Sequence, residues 1–310
     1  MSLADALPPG VRFIERDWLS ANHVLLVDAD STTMVDTGFV KHAPTTLALV
    51  DAALAHERPA ARRIGRIINT HLHSDHCGGN AAVHERHGSR ITVPAASFEA
   101  ARAWDIDALT HRDTGQPCPR FPVDDALAPG DEFEAGGVRW VAHAAPGHDP
   151  DSLVLFAPEE GLLVSADALW GSGFGIIFPE LQDESGFAEQ RAVLDLIESL
   201  EPRLVLPGHG PLFDDVDAAL ATARERLEAM ASNPERHARH ALKVLVKFRL
   251  LFMESETLAE MRERLGDARI LVDAARQVGM GIDEALEWAA DSLVAGGQAT
   301  REGDRVINRD

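Results

Sequence analysis

The sequence is poor in the features that mark exported and membrane proteins. Its 310 residues include only two cysteines, Cys77 and Cys118, which is too few for a disulfide framework. No run approaches the roughly 18 consecutive apolar residues of a transmembrane helix, and the first residues lack the basic start and apolar stretch of an export signal. We therefore expect a cytoplasmic protein with free thiols and no membrane partner.

Basic residues are scarce as well. The chain has 29 lysines and arginines against 50 aspartates and glutamates, a net charge of −21, of which residues 1–231 carry −19 and residues 232–310 carry −2. Proteins bind nucleic acids mainly through lysine and arginine. The charge therefore disfavours nucleic acid as a partner, and a small-molecule substrate is the better expectation.

Short apolar strands alternate with helical patterns over the first 230 residues or so. "VLLVDA" (24–29) and "TTMVDTG" (32–38) predict a hairpin, "RIINTH" (66–71) predicts a strand, and "FAEQRAVLDLIESL" (187–200) predicts an amphipathic helix. Antiparallel hairpins mixed with covering helices indicate a two-layer or sandwich α/β domain. Two long irregular segments, 104–125 and 169–186, interrupt the pattern, and the second is rich enough in aromatic residues and glycine to predict a pocket wall.

The C-terminal part has a different pattern. "ASNPER" (231–236) predicts a linker, so we divide the chain into a domain of residues 1–231 and a mostly helical domain of residues 232–310. The second ends in a helix and two short strands around residues 301–304, which resembles a winged helix. The segment "HALKVLVKFRLLFM" (240–253) is apolar nearly all round and must be buried: in its own domain, against the first domain, or in a homo-oligomer.

One short stretch concentrates side chains that bind metals. "HLHSDH" places three histidines and an aspartate within six positions, and imidazole and carboxylate are the common protein ligands of first-row transition metals. Residues two apart on an extended strand end project to the same side. Further candidates follow three predicted strands, in "APGHDPDS", "LLVSADALW" and "VLPGHG". The full set of candidate ligands is His71, His73, Asp75, His76, His148, Asp167 and His209.

These motifs, in this order, resemble the metallo-β-lactamase fold hydrolases, the superfamily that includes glyoxalase II. The resemblance covers about residues 20–212 and implies an αββα sandwich with two metal ions at one edge of the sheets. By the same resemblance the first ion is bound by His71, His73 and His148. The second is bound by Asp75, His76 and His209, and Asp167 bridges the two. Asp36, in "VDTG", matches an aspartate that accepts a hydrogen bond from behind the ligands.

The resemblance implies two zinc ions, with iron or manganese as alternatives. The expected reaction is attack by a hydroxide that bridges the metals on a small carboxylic ester, thioester, lactone or amide. Asp75 is the expected catalytic residue, which orients the hydroxide and relays its proton. Two departures from the family pattern change the local shape of the site: Ala166 stands where glycine is common, and "DPDS" follows His148.

The chain has no tyrosine, which disfavours the lactone hydrolases and glutathione-thioester hydrolases of the superfamily that rely on one. The apolar stretch 169–178 favours an acyl or aromatic substrate. Three alternatives stay open: a phosphodiesterase or ribonuclease, an iron-dependent persulfide dioxygenase, and a non-enzymatic metal-binding module. Cys77 is expected to pack the turn. The remaining histidines are expected at the surface: His23, His42, His56, His84, His87, His111, His143, His237 and His240.

Overall fold

The computed structural model describes residues 3–309, and the first two thirds of the chain form two facing β-sheets. The first sheet pairs six strands in chain order: β1 (Val11–Ile14), β2 (His23–Val27), β3 (Thr32–Val35), β4 (Ile64–Ile68), β5 (Arg90–Pro94) and β6 (Asp125–Leu127). The second sheet has the spatial order β11-β10-β9-β8-β7, from β7 (Glu132–Ala135), β8 (Val138–Ala144), β9 (Leu153–Ala157), β10 (Leu162–Ala166) and β11 (Leu204–Pro207). The predicted β2–β3 hairpin is confirmed.

Side-chain alternation along the strands builds the layers. On β2, Leu26 faces the second sheet and packs in one cluster with Trp140 and Leu155, whereas Leu25 faces the other way, into a cluster with Leu54. Because neighbouring residues of a strand point to opposite faces, one strand contributes to two cores. The expected αββα sandwich is therefore confirmed.

Helices cover both outer faces of the sandwich. They are α1 (Ala43–Ala53), α2 (Ser74–Cys77), α3 (Asn80–His87), α4 (Phe98–Ala103), α5 (His111–Thr114), α6 (Phe187–Leu200) and α7 (Val216–Ala231). The helix predicted at 187–200 is confirmed as α6. The single turn α2, which contains Asp75 and His76, was not predicted.

The C-terminal part is mostly helical, as expected. It contains α8 (Pro234–Met253), α9 (Leu258–Leu265), α10 (Arg269–Gln277) and α11 (Ile282–Ala295), with a small sheet of β12 (Ser255–Thr257), β14 (Arg305–Asn308) and β13 (Ala299–Glu302). Asn233 caps α8 by accepting a hydrogen bond from the backbone of Arg236 at 3.1 Å. The predicted linker is thus reduced to residues 232 and 233. No helix within residues 3–309 is long and apolar enough to cross a membrane.

Helix α8 is buried both in its own domain and against the first part of the chain. Its apolar residues join a core with α10 and α11, while the ring of Phe39 lies 5.2 Å from that of Phe248 and 5.1 Å from that of Phe252. Lys41 also donates a hydrogen bond to the carbonyl of Phe252 at 2.8 Å. The C-terminal helices therefore pack on the loops that surround the candidate site.

Candidate metal centre

All seven predicted ligands lie at one edge of the sandwich, after the ends of β4, β8, β10 and β11 or in α2. The structure brings them into two groups, and within each group the ligand atoms lie within 4.8 Å of one another. One group is His71, His73 and His148, and the other is Asp75, His76, Asp167 and His209. This division agrees with the one that the resemblance implied.

Asp167 lies between the two groups. Its Oδ2 atom is 3.5 Å from Nε2 of His148, in the first group. Its Oδ1 atom is 3.3 Å from Nε2 of His76 and 3.8 Å from Nε2 of His209, in the second. One carboxylate therefore presents an oxygen to each group, which fits a bridging position.

The rings of His71 and His76 are each held at Nδ1, by Thr70 and Asp36, and leave Nε2 for a ligand. Nδ1 of His76 donates to Oδ2 of Asp36 at 2.8 Å, and Nδ1 of His148 donates to the carbonyl of Ile176. Nε2 of His71 and Nε2 of His76 are buried and have no hydrogen-bond partner among residues 3–309. Buried nitrogens without partners are costly, and this anchored arrangement is typical of metal-binding histidines. The residues present therefore fit two transition-metal ions.

Burial sets the protonation of the first group. It lowers the pKa of His71 well below the ordinary histidine value and the pKa values of His73 and His148 to about 4, assisted by neighbouring histidines. These rings are neutral at pH 7, which is the form that binds a metal. In the second group burial opposes the charge of His76, but Asp167 and Asp36 raise its pKa well above the ordinary value. A cation binding there must displace that proton.

Left-handed backbone angles and close contacts restrict which residues can stand at several positions of the motifs. Asp36 and Ala166 have φ angles of 55° and 47°, in the left-handed region that favours glycine or asparagine. A Cβ atom at position 208 would lie 2.3 Å from Oδ1 of Asp167, and one at position 175 would lie 2.5 Å from Nδ1 of His148. The side chains of the site therefore require glycine at both of those positions.

Asp36 supports the second group from behind. Its Oδ1 atom accepts a hydrogen bond from the backbone nitrogen of Thr70 at 2.9 Å, and its Oδ2 atom accepts one from Oγ1 of Thr70 at 2.7 Å. The same carboxylate accepts the 2.8 Å bond from His76. This geometry agrees with the supporting role expected for Asp36, which stays a prediction until it is measured.

Sequence reasoning missed two functional candidates. Asp149, noted only as a departure from the family pattern, has Oδ2 3.4 Å from Nε2 of His73, and burial raises its pKa to about 6. Trp18 is 54% exposed and stacks on the ring of His209, with centroids 5.5 Å apart and planes 7° apart. It also lies edge-on to Trp170 at 5.5 Å.

Only part of the segment 169–186, which was predicted to form a pocket wall, lies at the candidate site. Leu169, Phe174 and Ile177 are buried in the core beneath the second sheet. Phe178 lies against the first ligand group, with its ring centroid 5.1 Å from that of His73. Trp18, Trp170 and Phe178 thus give the mouth of the site its aromatic surface.

The expectation that the other histidines are exposed is wrong for three of them. His23, His111 and His237 are 0%, 7% and 1% exposed. Each lies on an element whose neighbours in space come from distant parts of the chain, so the local pattern of residues held no sign of burial. Cys77 is buried, as expected.

Together, the fold and the paired ligand groups define a metal-dependent hydrolase. Residues 16–209 match the family described as the metallo-beta-lactamase superfamily. A hydroxyacylglutathione hydrolase of Methylobacterium sp. is 29% identical over 230 residues, which are 72% of this chain and 77% of that one. Another, from Anaeromyxobacter dehalogenans, is 33% identical over 192 residues, or 62% and 66% of the two chains. The chain belongs to the metallo-beta-lactamase superfamily.

Solved structures show how far the similarity in fold extends. A beta-lactamase domain protein from Burkholderia ambifaria matches with a TM-score of 0.57 and 21% identity, over 99% of this chain and 97% of that one. A metallo-beta-lactamase family protein from Thermus thermophilus matches with a TM-score of 0.56 and 21% identity, over 97% and 99%. The shared fold therefore includes the C-terminal helices.

Proposed function

We propose that the protein is a dinuclear metal-dependent hydrolase that cleaves a small carboxylic thioester or ester with an apolar acyl group. The observation that carries this proposal is the pair of ligand groups on either side of Asp167, below a mouth formed by Trp18, Trp170 and Phe178. His71, His73 and His148 would hold one ion. Asp75, His76 and His209 would hold the other, and Asp167 would contact both.

Two bound cations would acidify water and polarise the substrate carbonyl. The chain's own contribution to proton transfer is Asp75. Its Oδ2 atom accepts a hydrogen bond from Nε2 of His209 at 3.2 Å, and its side chain keeps 15% of its surface exposed. Burial works against the charge, but the hydrogen bond from His209 lowers the pKa of Asp75 below its ordinary value. Asp75 thus stays ionised, and its exposed part lets it accept a proton and pass it to the leaving group.

The mouth of the site supports an apolar acyl group. Trp18 presents more than half of its surface to solvent beside His209, and aromatic surfaces at a binding site bind apolar and planar groups. The similar hydroxyacylglutathione hydrolases take an acyl group carried by glutathione, which supports a thioester. The chain has no tyrosine and a net charge of −21, so we expect weaker binding of the anionic glutathione part than of the acyl part.

The test combines metal analysis with a substrate panel. The full chain, expressed with zinc, should contain about two metal ions and should hydrolyse phenylacetyl thioesters faster than acetyl thioesters, hydroxyacylglutathione, lactones or a phosphodiester. His148→Ala should lose metal and activity, whereas the matched change of the exposed His56 to alanine should lose neither. A metal-free protein, or one that cleaves only the phosphodiester, would contradict the proposal.

A further inference from the structure

A second cluster of reactive side chains lies behind the candidate metal centre. The Sγ atoms of Cys77 and Cys118 are 3.6 Å apart, and both lie within 4.8 Å of a ring nitrogen of His111. These are the only cysteines of the chain. They are 41 positions apart in sequence, so their meeting is a product of the fold.

The two thiols belong to elements that are already joined. Cys77 ends α2, the turn that carries Asp75 and His76. Cys118 lies in the irregular segment after α5, and Oγ of Ser74, the first residue of α2, donates a hydrogen bond to Oε1 of Gln116 in that segment. This hydrogen bond therefore holds the irregular segment against the start of α2, close to the thiol pair.

We propose that Cys77 and Cys118 are a reversible dithiol–disulfide pair that is oxidised by hydrogen peroxide or an organic peroxide. The sulfur of Cys118 attacks one peroxide oxygen; the O–O bond breaks, an S–O bond forms, and the departing oxygen takes a proton to become water or an alcohol. The thiol of Cys77 then attacks the sulfur of the Cys118 sulfenic acid. The S–S bond forms, the S–O bond breaks, and hydroxide leaves with the Cys77 proton as water, so two thiols are oxidised while one peroxide is reduced.

Exposure and hydrogen bonding decide which thiol reacts first. Cys118 is partly exposed, whereas Cys77 is fully buried. The hydrogen bond with Cys77 lowers the pKa of Cys118 to about 6 against the effect of burial, with a further contribution from the nearby His111. Peroxide-sensitive cysteines typically combine thiolate character and access with a resolving thiol close by. His111 acts as a positioning residue, because a nitrogen of its ring lies within 4.8 Å of both sulfur atoms and it does not enter the exchange.

Oxidation would connect the pair to the candidate metal centre. A disulfide has an S–S distance of about 2.05 Å, so the sulfur atoms must move together from their 3.6 Å separation. Cys77 follows His76 directly in a buried turn, whereas Cys118 lies in the part-exposed irregular segment. Disulfide formation therefore pulls this segment onto the helix that carries two candidate ligands.

The experiment uses the full-length, metal-loaded protein treated with hydrogen peroxide. Its intact mass under non-reducing conditions should fall by about 2 Da. The two thiols that a thiol reagent detects before the treatment should disappear, and dithiothreitol should restore them. Cys118→Ser should leave Cys77 unable to form the bond. His111→Asn should slow disulfide formation about tenfold at neutral pH and shift the pH profile of its rate upward, whereas His143→Asn should do neither.

Two results would overturn the inference, and a third would remove the role of His111. Thiols that react with the reagent only after a chelator is added would show that the cluster holds a metal ion instead, since three ligand atoms in this arrangement also suit a soft cation. Cys118 oxidised beyond the sulfenic acid without a mass loss would show that Cys77 does not resolve it. A pH profile unchanged in His111→Asn would remove the positioning role of His111.

Discussion

His76 donates a hydrogen bond of 2.8 Å from Nδ1 to Oδ2 of Asp36, and both side chains are buried. This bond fixes the ring so that Nε2 faces Asp167 at 3.3 Å. The backbone of Asp36 is left-handed, with φ of 55°. A carboxylate at this position orients a ligand and increases its basicity.

We predict that Asp36→Asn weakens metal binding and activity by about 10–100-fold. Asparagine tolerates the left-handed backbone, so the change removes the charge and replaces one of the two acceptor oxygens by an NH2 donor with little backbone strain. The measurement is the zinc dissociation constant from competition with a chelator. Thr70→Val is the matched control: it removes one hydrogen bond to Asp36 and leaves the bond from His76, so an equal loss in both variants would refute the role.

Ala166 gives a prediction about stability. Its φ of 47° lies in the left-handed region, where a residue with a Cβ atom costs about 1–2 kcal/mol. Glycine avoids this strain, but the greater conformational entropy of its unfolded chain lowers stability by about 0.4–1 kcal/mol. Ala166→Gly should therefore raise the free energy of unfolding by about 0.5–1 kcal/mol in chemical denaturation. The buried neighbour Ala168 lacks a positive φ, so Ala168→Gly should destabilise. A less stable Ala166→Gly would show that the backbone there is not strained.

The sequence could indicate which candidate ligands the fold brings together, because these residues follow strands with strong apolar runs. His71, His148, Asp167 and His209 each come within four residues of a strand end, and strand ends collect at one edge of a sheet. The fold class was predictable for the same reason. The single turn α2 was not, since four residues are too few for a helical period.

Trp18 was missed because long-range packing places it. The backbone of Ala21 donates a hydrogen bond to the carbonyl of Asp75 at 2.9 Å, and that of Asn22 donates one to the carbonyl of Gly208 at 2.7 Å. These bonds draw the segment before β2 onto two motif loops and set Trp18 beside His209. No periodicity or motif near residue 18 could have indicated this.

We predict that Trp18→Ala raises KM for a phenylacetyl thioester about tenfold, the equivalent of about 1.4 kcal/mol of aromatic contact. The value of kcat should change little, because Trp18 supplies no ligand or proton. Trp18→Phe should keep most of the binding. The acetyl thioester is the internal control: a rise in KM of the same size for it would mean that Trp18 only supports His209.

Acid should destabilise the protein partly through His240. Burial, and then Arg226 and other cationic neighbours, lower the pKa of His240 to about 3 from the ordinary histidine value of 6.5. Its Nε2 atom accepts a hydrogen bond from the guanidinium of Arg226 at 2.9 Å, which requires the neutral ring. The unfolded chain binds a proton near pH 6.5 and the folded chain does not, so stability is lost as the pH falls below the unfolded value.

We therefore compare how far the free energy of unfolding falls between about pH 7.5 and about pH 5.5. In His240→Gln we predict that this fall is smaller than in the wild-type protein by about 1.4 kcal/mol. Glutamine keeps an oxygen acceptor for Arg226 and cannot titrate. The measurement is urea denaturation of both proteins at the two pH values. The matched change of the exposed His56 to glutamine should keep the wild-type pH dependence. If His240→Gln also keeps the wild-type pH dependence, His240 is protonated in the folded protein. The neutral ring inferred from its hydrogen bond with Arg226 would then be wrong.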